Sequence, residues 1–512
     1  MTQSDLMEIN PWDRHRVTLE SGFVAALLAG AFLVRLWGLS KMHFWDENVY
    51  LLNAGYIAFG KANYIEIDSR PPLLPILFAG AFRLWHSDYA AWIVTALLNA
   101  LGPVFLYLAG RKLTGRIAAA IAALLLAFSP FFAGIFPDGS GGFVVDFSGH
   151  SLLADCPALS VILLSFWLLL RALERQTNLR FAAAGLGLAL AVLMRFGSLS
   201  SAGMLSLLVF AADRRMRAAL ACAAGFAAGM GPYLCWSRLR YGGFLATFRS
   251  GWNEFGGPTE SFFYYLQSFA VIFSWLTLAG LALWVIRRVW EAGARRERTI
   301  GNSERLLGQD QRKWEGFLWL WALAVMLFFS ILSHKEPRYS IPAAPPLLLL
   351  AGVGLSTLLE GRRTATRVAG SALLGAALVY CFWPVHHRFD SKFIDDSVSE
   401  EMTVSEFLRH NVAPTTVLYA NQNYPDFAYY AEMKVNALPE SGDALYESLK
   451  HLPGDGILIA YRQIDSADSS ALTEPSLAWL DANPHFRRMK EFPSMVLYEY
   501  HALLPTAGQS NR

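Results

Sequence analysis

Apolar and polar positions alternate along this chain in long blocks. Eleven stretches approach the ~20 apolar residues that a bilayer crossing needs: residues 20–39, 89–110, 117–135, 151–170, 179–195, 199–212, 217–236, 263–286, 317–333, 341–359 and 367–384. The pair around 179–212 is short. A further apolar stretch, 71–86, opens on two prolines and is too short to cross, so it is predicted to lie on or dip into the membrane interface. After residue 384 the blocks shorten. Helical spacing at Glu400–Asn411, 444–451 and 475–482 alternates with strand-like runs at 416–420 and Gly456–Tyr461. A Tyr-rich stretch lies at 423–432, and 488–491 with Met495–Tyr500 reads as a hairpin. The pattern predicts a polytopic α-helical membrane protein: a transmembrane domain over 1–384 and a small C-terminal α/β domain over 385–512.

Charge sets the orientation. Arg14 and Arg16 precede the first span, and basic clusters follow the second (Arg111, Lys112, Arg116), fourth (Arg171, Arg175, Arg180), sixth (Arg214, Arg215, Arg217), eighth (Arg287, Arg288, Arg295, Arg296, Arg298) and tenth (Arg362, Arg363, Arg367). Basic residues favour cytoplasmic loops. Their fall on every second loop predicts a cytoplasmic N-terminus in the inner (plasma) membrane. It places the loops 40–88, 136–150, 237–262 and 334–340, and the tail, on the extracytoplasmic side. The charged loop 289–316 is expected to be a flexible cytoplasmic connector.

Composition agrees. Of 512 residues 54% are hydrophobic and 16% charged, against roughly 25% charged in soluble domains. The net charge of +2 is the sum of an acidic tail, with 18 acidic and 10 basic residues in 385–512, and a basic remainder. No basic tract suggests nucleic acid. The four cysteines, Cys156, Cys222, Cys235 and Cys381, lie in or beside apolar runs without metal spacing and are expected to be small buried hydrophobes. The first apolar run lacks a cleavage pattern and is expected to be retained. No internal repeat is visible.

Candidate chemistry gathers at the outer ends of the spans. Asp46 and Glu47 follow the first span; adjacent residues on a helix point about 100° apart. One suits a general base and the other an orienting partner, or the pair caps a surface helix starting at Asn48. Arg70 precedes Pro71-Pro72, which holds its backbone extended at the interface, where it can meet a phosphate or lipid headgroups. Asp155 opens the fourth span, either as a functional carboxylate or as a cap before Pro157. Asp138 and Asp146 lie in the Gly-rich loop before it. Arg195 ends the fifth span on the outer side. His334, Lys335 and Arg338 place three basic groups within five residues of another outer loop, either to meet a polyanion or as a solvated turn with Lys335–Glu336 pairing; were the loop helical, His334 and Arg338 would share a face. No nucleotide-binding, zinc-protease or serine-hydrolase motif has a usable context. ATP is absent outside, so a catalyst there needs a pre-activated donor, which a membrane can supply as lipid.

The ordered set of motifs resembles the C-type glycosyltransferase superfamily and is similar to the bacterial lipid A aminoarabinose transferases and the protein O-mannosyltransferases. Asp46-Glu47-Asn48-Val49-Tyr50 resembles an Asp-Glu-x-x-Tyr motif, Arg70-Pro71-Pro72-Leu73 a Lys/Arg-Pro-Pro-Leu stretch, and Leu153-Ala154-Asp155-Cys156-Pro157 the acidic start of the fourth span. Arg195 has a counterpart in the fifth span. His334-Lys335-Glu336-Pro337-Arg338-Tyr339 resembles a His-Lys-Glu-x-Arg-Phe/Tyr stretch of lipid-linked and anchor-glycan mannosyltransferases. The resemblance implies inverting transfer from a polyprenyl-phosphate sugar to a lipid, glycan or protein acceptor. Asp46 would be the base, Glu47 its support and Asp155 a second carboxylate. Tyr50, Arg70, Arg195, His334, Lys335, Arg338 and Tyr339 would bind substrate. Some members use a divalent metal; no ligand cluster stands out in this sequence. Arg70 stands where the aminoarabinose enzymes commonly have Lys. Two other classes fit the pattern less well: a transporter or flippase, which would bury charges midway along its spans, and a non-catalytic lipid-sugar-binding relative. Nothing in the tail resembles a catalytic motif.

Overall fold

A computed structural model describes residues 11–61, 70–137, 143–145, 152–212, 216–253, 260–297, 305–360, 364–390, 392–439, 442–462 and 472–502. Asp138 and Asp146 lie outside the described residues. The chain forms two compact units. The first holds residues up to 39, 68–74 and 89–394; the second gathers 40–67, 75–88 and 395–512. The first outer loop folds with the tail rather than with the spans, apart from the short stretch around Arg70.

A helix overlaps each of the eleven expected spans: Pro11–Leu36, Asp88–Leu113, Arg116–Phe128, Asp155–Arg175, Asn178–Met194, Leu199–Ala212, Met216–Tyr241, Trp275–Glu297, Arg305–Ile331, Ala344–Ser356 and Thr364–Phe382. Among the described residues, seven helical stretches are long and apolar enough to cross a membrane, and four more apolar helices are shorter. The protein is a multi-pass membrane protein. The stretch expected as one span over 263–286 is broken. Two short helices, Tyr264–Gln267 and Phe269–Phe273, precede Ser274, whose φ of 72° ends the run before Trp275–Glu297 begins. An L-residue in that region interrupts a helix. The stretch at 71–86 forms the helix Leu73–Leu84. Much of the expected connector at 289–316 is also helical, since Trp275–Glu297 and Arg305–Ile331 extend into it.

Small residues let these helices close. A Cβ on Gly185 would collide with the Cys222 carbonyl and one on Gly225 with the Ala182 carbonyl, so helices Asn178–Met194 and Met216–Tyr241 meet backbone to backbone. Arg35, inside the first span, is buried. Its guanidinium donates to the carbonyls of Ala31 (3.1 Å), Ala127 (3.0 Å), Leu126 (3.2 Å) and Phe132 (3.0 Å). It thereby satisfies the orphan carbonyls where Arg116–Phe128 ends. Of the cysteines, Cys156 and Cys222 are buried as expected, but Cys235 is exposed.

The second unit is built on a five-stranded mixed sheet: β1 (Val417–Ala420), β2 (Val435–Ala437), β3 (Gly456–Tyr461), β4 (Phe486–Glu491) and β5 (Met495–Tyr500), in the order β2-β1-β3-β5-β4. β1 pairs parallel with β2 and β3, while β5 pairs antiparallel with β3 and β4. β3 is buried along its whole length, which explains its unbroken run Ile457-Leu458-Ile459-Ala460. Side chains alternate between faces. Tyr419, Leu458 and Val496 meet the helices Gly442–Lys450 and Glu474–Ala482. Leu418, Ile457, Ile459 and Leu497 meet the helices Glu400–Asn411 and Tyr424–Tyr430, together with Val49 and Leu52 of the helix Trp45–Phe59. A segment from the start of the chain thus completes one core of the tail.

Candidate active site

Within the first unit, residues far apart in sequence form one polar chain. The N-cap of helix Asp155–Arg175 is Ala154, so Asp155 is its first residue rather than its cap. Its carboxylate, 3% exposed as a residue, accepts from Arg195 Nη1 at 2.6 Å. Arg195 follows the last residue of helix Asn178–Met194 in an extended conformation (φ −152°). Its guanidinium lies 5.2 Å from the centre of the Tyr339 ring, within cation–π range. The Tyr339 hydroxyl donates to Glu336 Oε1 at 2.8 Å.

Glu336 is the hub of the basic loop. Arg338 donates to it through Nε and, at 3.0 Å, through Nη2. His334 Nε2 lies 3.2 Å from Oε1. Burial alone would raise the Glu336 carboxyl; the hydrogen bond and charge of Arg338, with Tyr339 and His334, override it and hold the group at about 2. The carboxylate stays charged and keeps its cations gathered. The loop is irregular at 332–336 and enters a 3-10 helix, Pro337–Ala343, so His334 and Arg338 meet through Glu336 rather than on a helical face. The surrogate pairing considered for this loop, Lys335 with Glu336, is replaced by His334 and Arg338. Lys335 is 3% exposed. Its ammonium donates to the carbonyls of Leu332 (2.5 Å) and Glu260 (3.0 Å). That use closes the end of helix Arg305–Ile331. Arg70 is half-buried, directly before Pro71 and the helix Leu73–Leu84.

Within the second unit, the acid pair opens the helix Trp45–Phe59, three residues before the Asn48 start considered from sequence. Glu47 is 1% exposed, and its Oε2 accepts from the Phe44 amide at 2.8 Å. This is the reciprocal half of a capping box, so Glu47 holds the helix start. Asp46 is half-buried and Tyr50 is buried in the same helix. Sequence reasoning missed the hub role of Glu336, although its place between His334 and Arg338 is the signal that finds it. It also missed Arg35, which a lone Arg in an apolar run announces.

Among the described residues, His386, His387 and Asp390 form a group whose possible metal-ligand atoms lie within 4.8 Å of one another. None of the candidate acids belongs to it.

Two family models match the chain: dolichyl-phosphate-mannose-protein mannosyltransferase over residues 69–236, and the Alg9-like mannosyltransferase family over residues 241–417. No curated protein sequence matches. Among solved structures, ArnT from Cupriavidus metallidurans bound to undecaprenyl phosphate superposes over 94% of this chain and 98% of its own, with a TM-score of 0.62 at 15% identity. The fold is that of the C-type glycosyltransferases. The oligosaccharyltransferase of Archaeoglobus fulgidus, solved with Zn and sulfate, shares it over 85% of this chain and 68% of its own (TM-score 0.57, 15% identity). So does the archaeal oligosaccharyltransferase AglB from the same organism, with an inhibitory peptide and a dolichol-phosphate, over 86% and 70% (TM-score 0.52, 13% identity). In the C-type fold of this chain, the polar chain described above lies at helix ends rather than midway along them.

Proposed function

We propose that this protein is a membrane glycosyltransferase that moves a sugar, with inversion, from a polyprenyl-phosphate donor to an acceptor on the extracytoplasmic side. The observation that carries the reading is the polar chain Asp155–Arg195–Tyr339–Glu336–Arg338. It gathers two guanidinium groups and an imidazole in a fold shared with a protein solved bound to undecaprenyl phosphate. The two mannosyltransferase family matches support the reaction class.

In this reading Asp46 takes the proton from the acceptor hydroxyl as its oxygen bonds to the sugar C1. The C1–O bond to phosphate breaks on the opposite face, and its electron pair leaves with the polyprenyl phosphate. Charge grows on that phosphate, so cations stabilise the transition state more than the ground state. Arg338, His334, Arg195 and Arg70 are the groups proposed to meet it. Glu336 holds Arg338 and His334 in place, and Asp155 aims Arg195. Glu47 serves the site by fixing the helix start, and Lys335 by fixing the loop. The cytoplasmic N-terminus and outer tail proposed from the basic clusters put Asp46 on the side where lipid-linked donors are used. Among the described residues the charges of this polar chain stand at helix ends, the arrangement expected of a site at the membrane surface rather than of a transport path through the spans.

The test compares lipids and glycans by mass spectrometry in cells that lack the protein and in cells complemented with wild type or Asp46→Asn. The variant is expected to accumulate at wild-type level, to leave the wild-type sugar substituent missing and to bind undecaprenyl phosphate normally. General-base loss typically costs about 10²–10⁴-fold in rate. A normal substituent in the Asp46→Asn cells removes Asp46 from the base role.

A further inference from the structure

The tail helix Tyr424–Tyr430 grips the start of the acid-bearing helix at three points inside the second unit. First, Asn48, fully buried, donates through Nδ2 to Asp426 Oδ1 at 2.7 Å and to the His43 carbonyl at 3.4 Å. Second, the Tyr430 hydroxyl accepts from the His43 amide at 2.6 Å and donates to the Lys41 carbonyl at 3.1 Å. The His43 and Tyr430 rings lie parallel within 5°. Third, the Tyr429 hydroxyl donates to Asp88, whose other carboxylate oxygen lies 3.2 Å from His43 Nε2. The tail helix is itself fixed: Asn423 at its start donates to Glu401 at 3.0 Å and to the Tyr461 hydroxyl at 3.2 Å.

Geometry turns this grip into aim. Two helical residues on, a side chain points about 200° away. Locking Asn48 into the tail therefore turns Asp46 to the opposite side of the helix. Both partners are buried, so the Asn48–Asp426 bond has little competition from water. We infer that Asp426, together with Tyr430, is a positioning residue that sets the direction of Asp46, which makes the tail part of the catalytic apparatus. The inference rests on the base role of Asp46 proposed above.

The experiment uses the full-length protein. Hydrogen exchange of the amides at 45–50 is measured in detergent for wild type, Asp426→Ala, Asp426→Asn and Tyr430→Phe, and sugar-substituent formation is followed in complemented cells. Asp426→Ala is expected to speed exchange at 45–50 at least tenfold and to lower the rate of substituent formation about 10–100-fold, the scale of an ångström-size misplacement. Asp426→Asn keeps an acceptor oxygen for Asn48 and is expected to restore both to near wild type. Tyr430→Phe, the milder change, should loosen exchange at 45–50 without lowering protein level. Unchanged exchange in Asp426→Ala and Tyr430→Phe overturns the inference. So does loosened exchange in both with unchanged product. If exchange loosens as expected but Asp46→Asn still forms product, the positioning of this helix stands and the base assignment falls.

Discussion

Lys335 and Arg338 stand three positions apart and do different work. The Lys335 ammonium is spent on backbone carbonyls, whereas the Arg338 guanidinium shares a carboxylate with His334 beside Tyr339. Their substitutions should separate. Arg338→Ala is expected to weaken undecaprenyl phosphate binding about 10–100-fold, because a charge-assisted hydrogen bond contributes about 1.5–3 kcal/mol, and also to lower the melting temperature at neutral pH, since Glu336 loses the cation that keeps it charged. Lys335→Ala should lower the melting temperature and leave affinity near wild type, since the carbonyls of Leu332 and Glu260 lose a donor. Titration calorimetry and thermal unfolding in the same detergent check both. The motif His334-Lys335-Glu336-Pro337-Arg338 was legible as a cluster of charges. Which cation faces inward was not, because that depends on where Glu260, 75 residues earlier, brings its carbonyl.

At the scale of elements, the helix pair of Trp45–Phe59 and Tyr424–Tyr430 carries an ionisable joint. Burial raises the Asp426 carboxyl from 3.8 to about 7, opposed by its hydrogen bond from Asn48. The charged groups facing it are Glu401, His43 and Glu47. The native state thus holds a proton that the unfolded chain has released between these two values. Stability contributed here is full below pH 3.8 and is lost as pH rises toward about 7, by at most about 4 kcal/mol. Asp426→Asn, neutral throughout, is expected to melt higher than wild type at pH 8, with the difference vanishing near pH 4. Thermal unfolding of both proteins across that range checks the sign. The strands and helices of the tail were largely readable. Glu400–Asn411, β3 and β5 fall where their periodicity puts them. β2, three residues in Lys434-Val435-Asn436-Ala437, is too short to show a period. The break at Ser274 was hidden because nothing in Phe273-Ser274-Trp275 signals a positive φ, as a glycine would.

For the whole molecule, the regular fall of basic clusters makes orientation testable. Protease added to right-side-out vesicles is expected to cut in the tail beyond residue 395 and to spare the 298–304 segment, with the reverse in inverted vesicles; mapping the fragments by mass spectrometry checks it. The spans were legible because a bilayer demands long apolar runs. The composition of the second unit was not. Val49 and Leu52 are apolar residues in a stretch read as an outer loop, and nothing local says that their partners are Val404, Phe427 and Leu497. Long-range pairing of this kind is a property of the fold, not of any window along the chain.

That same union of early and late segments imposes a delay during synthesis. Asp88 leaves the ribosome 338 residues before Asp426. At about 5–20 residues per second this is a wait of roughly 20–70 s. For that interval the apolar side of Trp45–Phe59 has been made but its covering helix has not. The nascent chain must keep that face soluble or shielded until translation is nearly finished, and a truncation anywhere before residue 424 would leave the wait without an end.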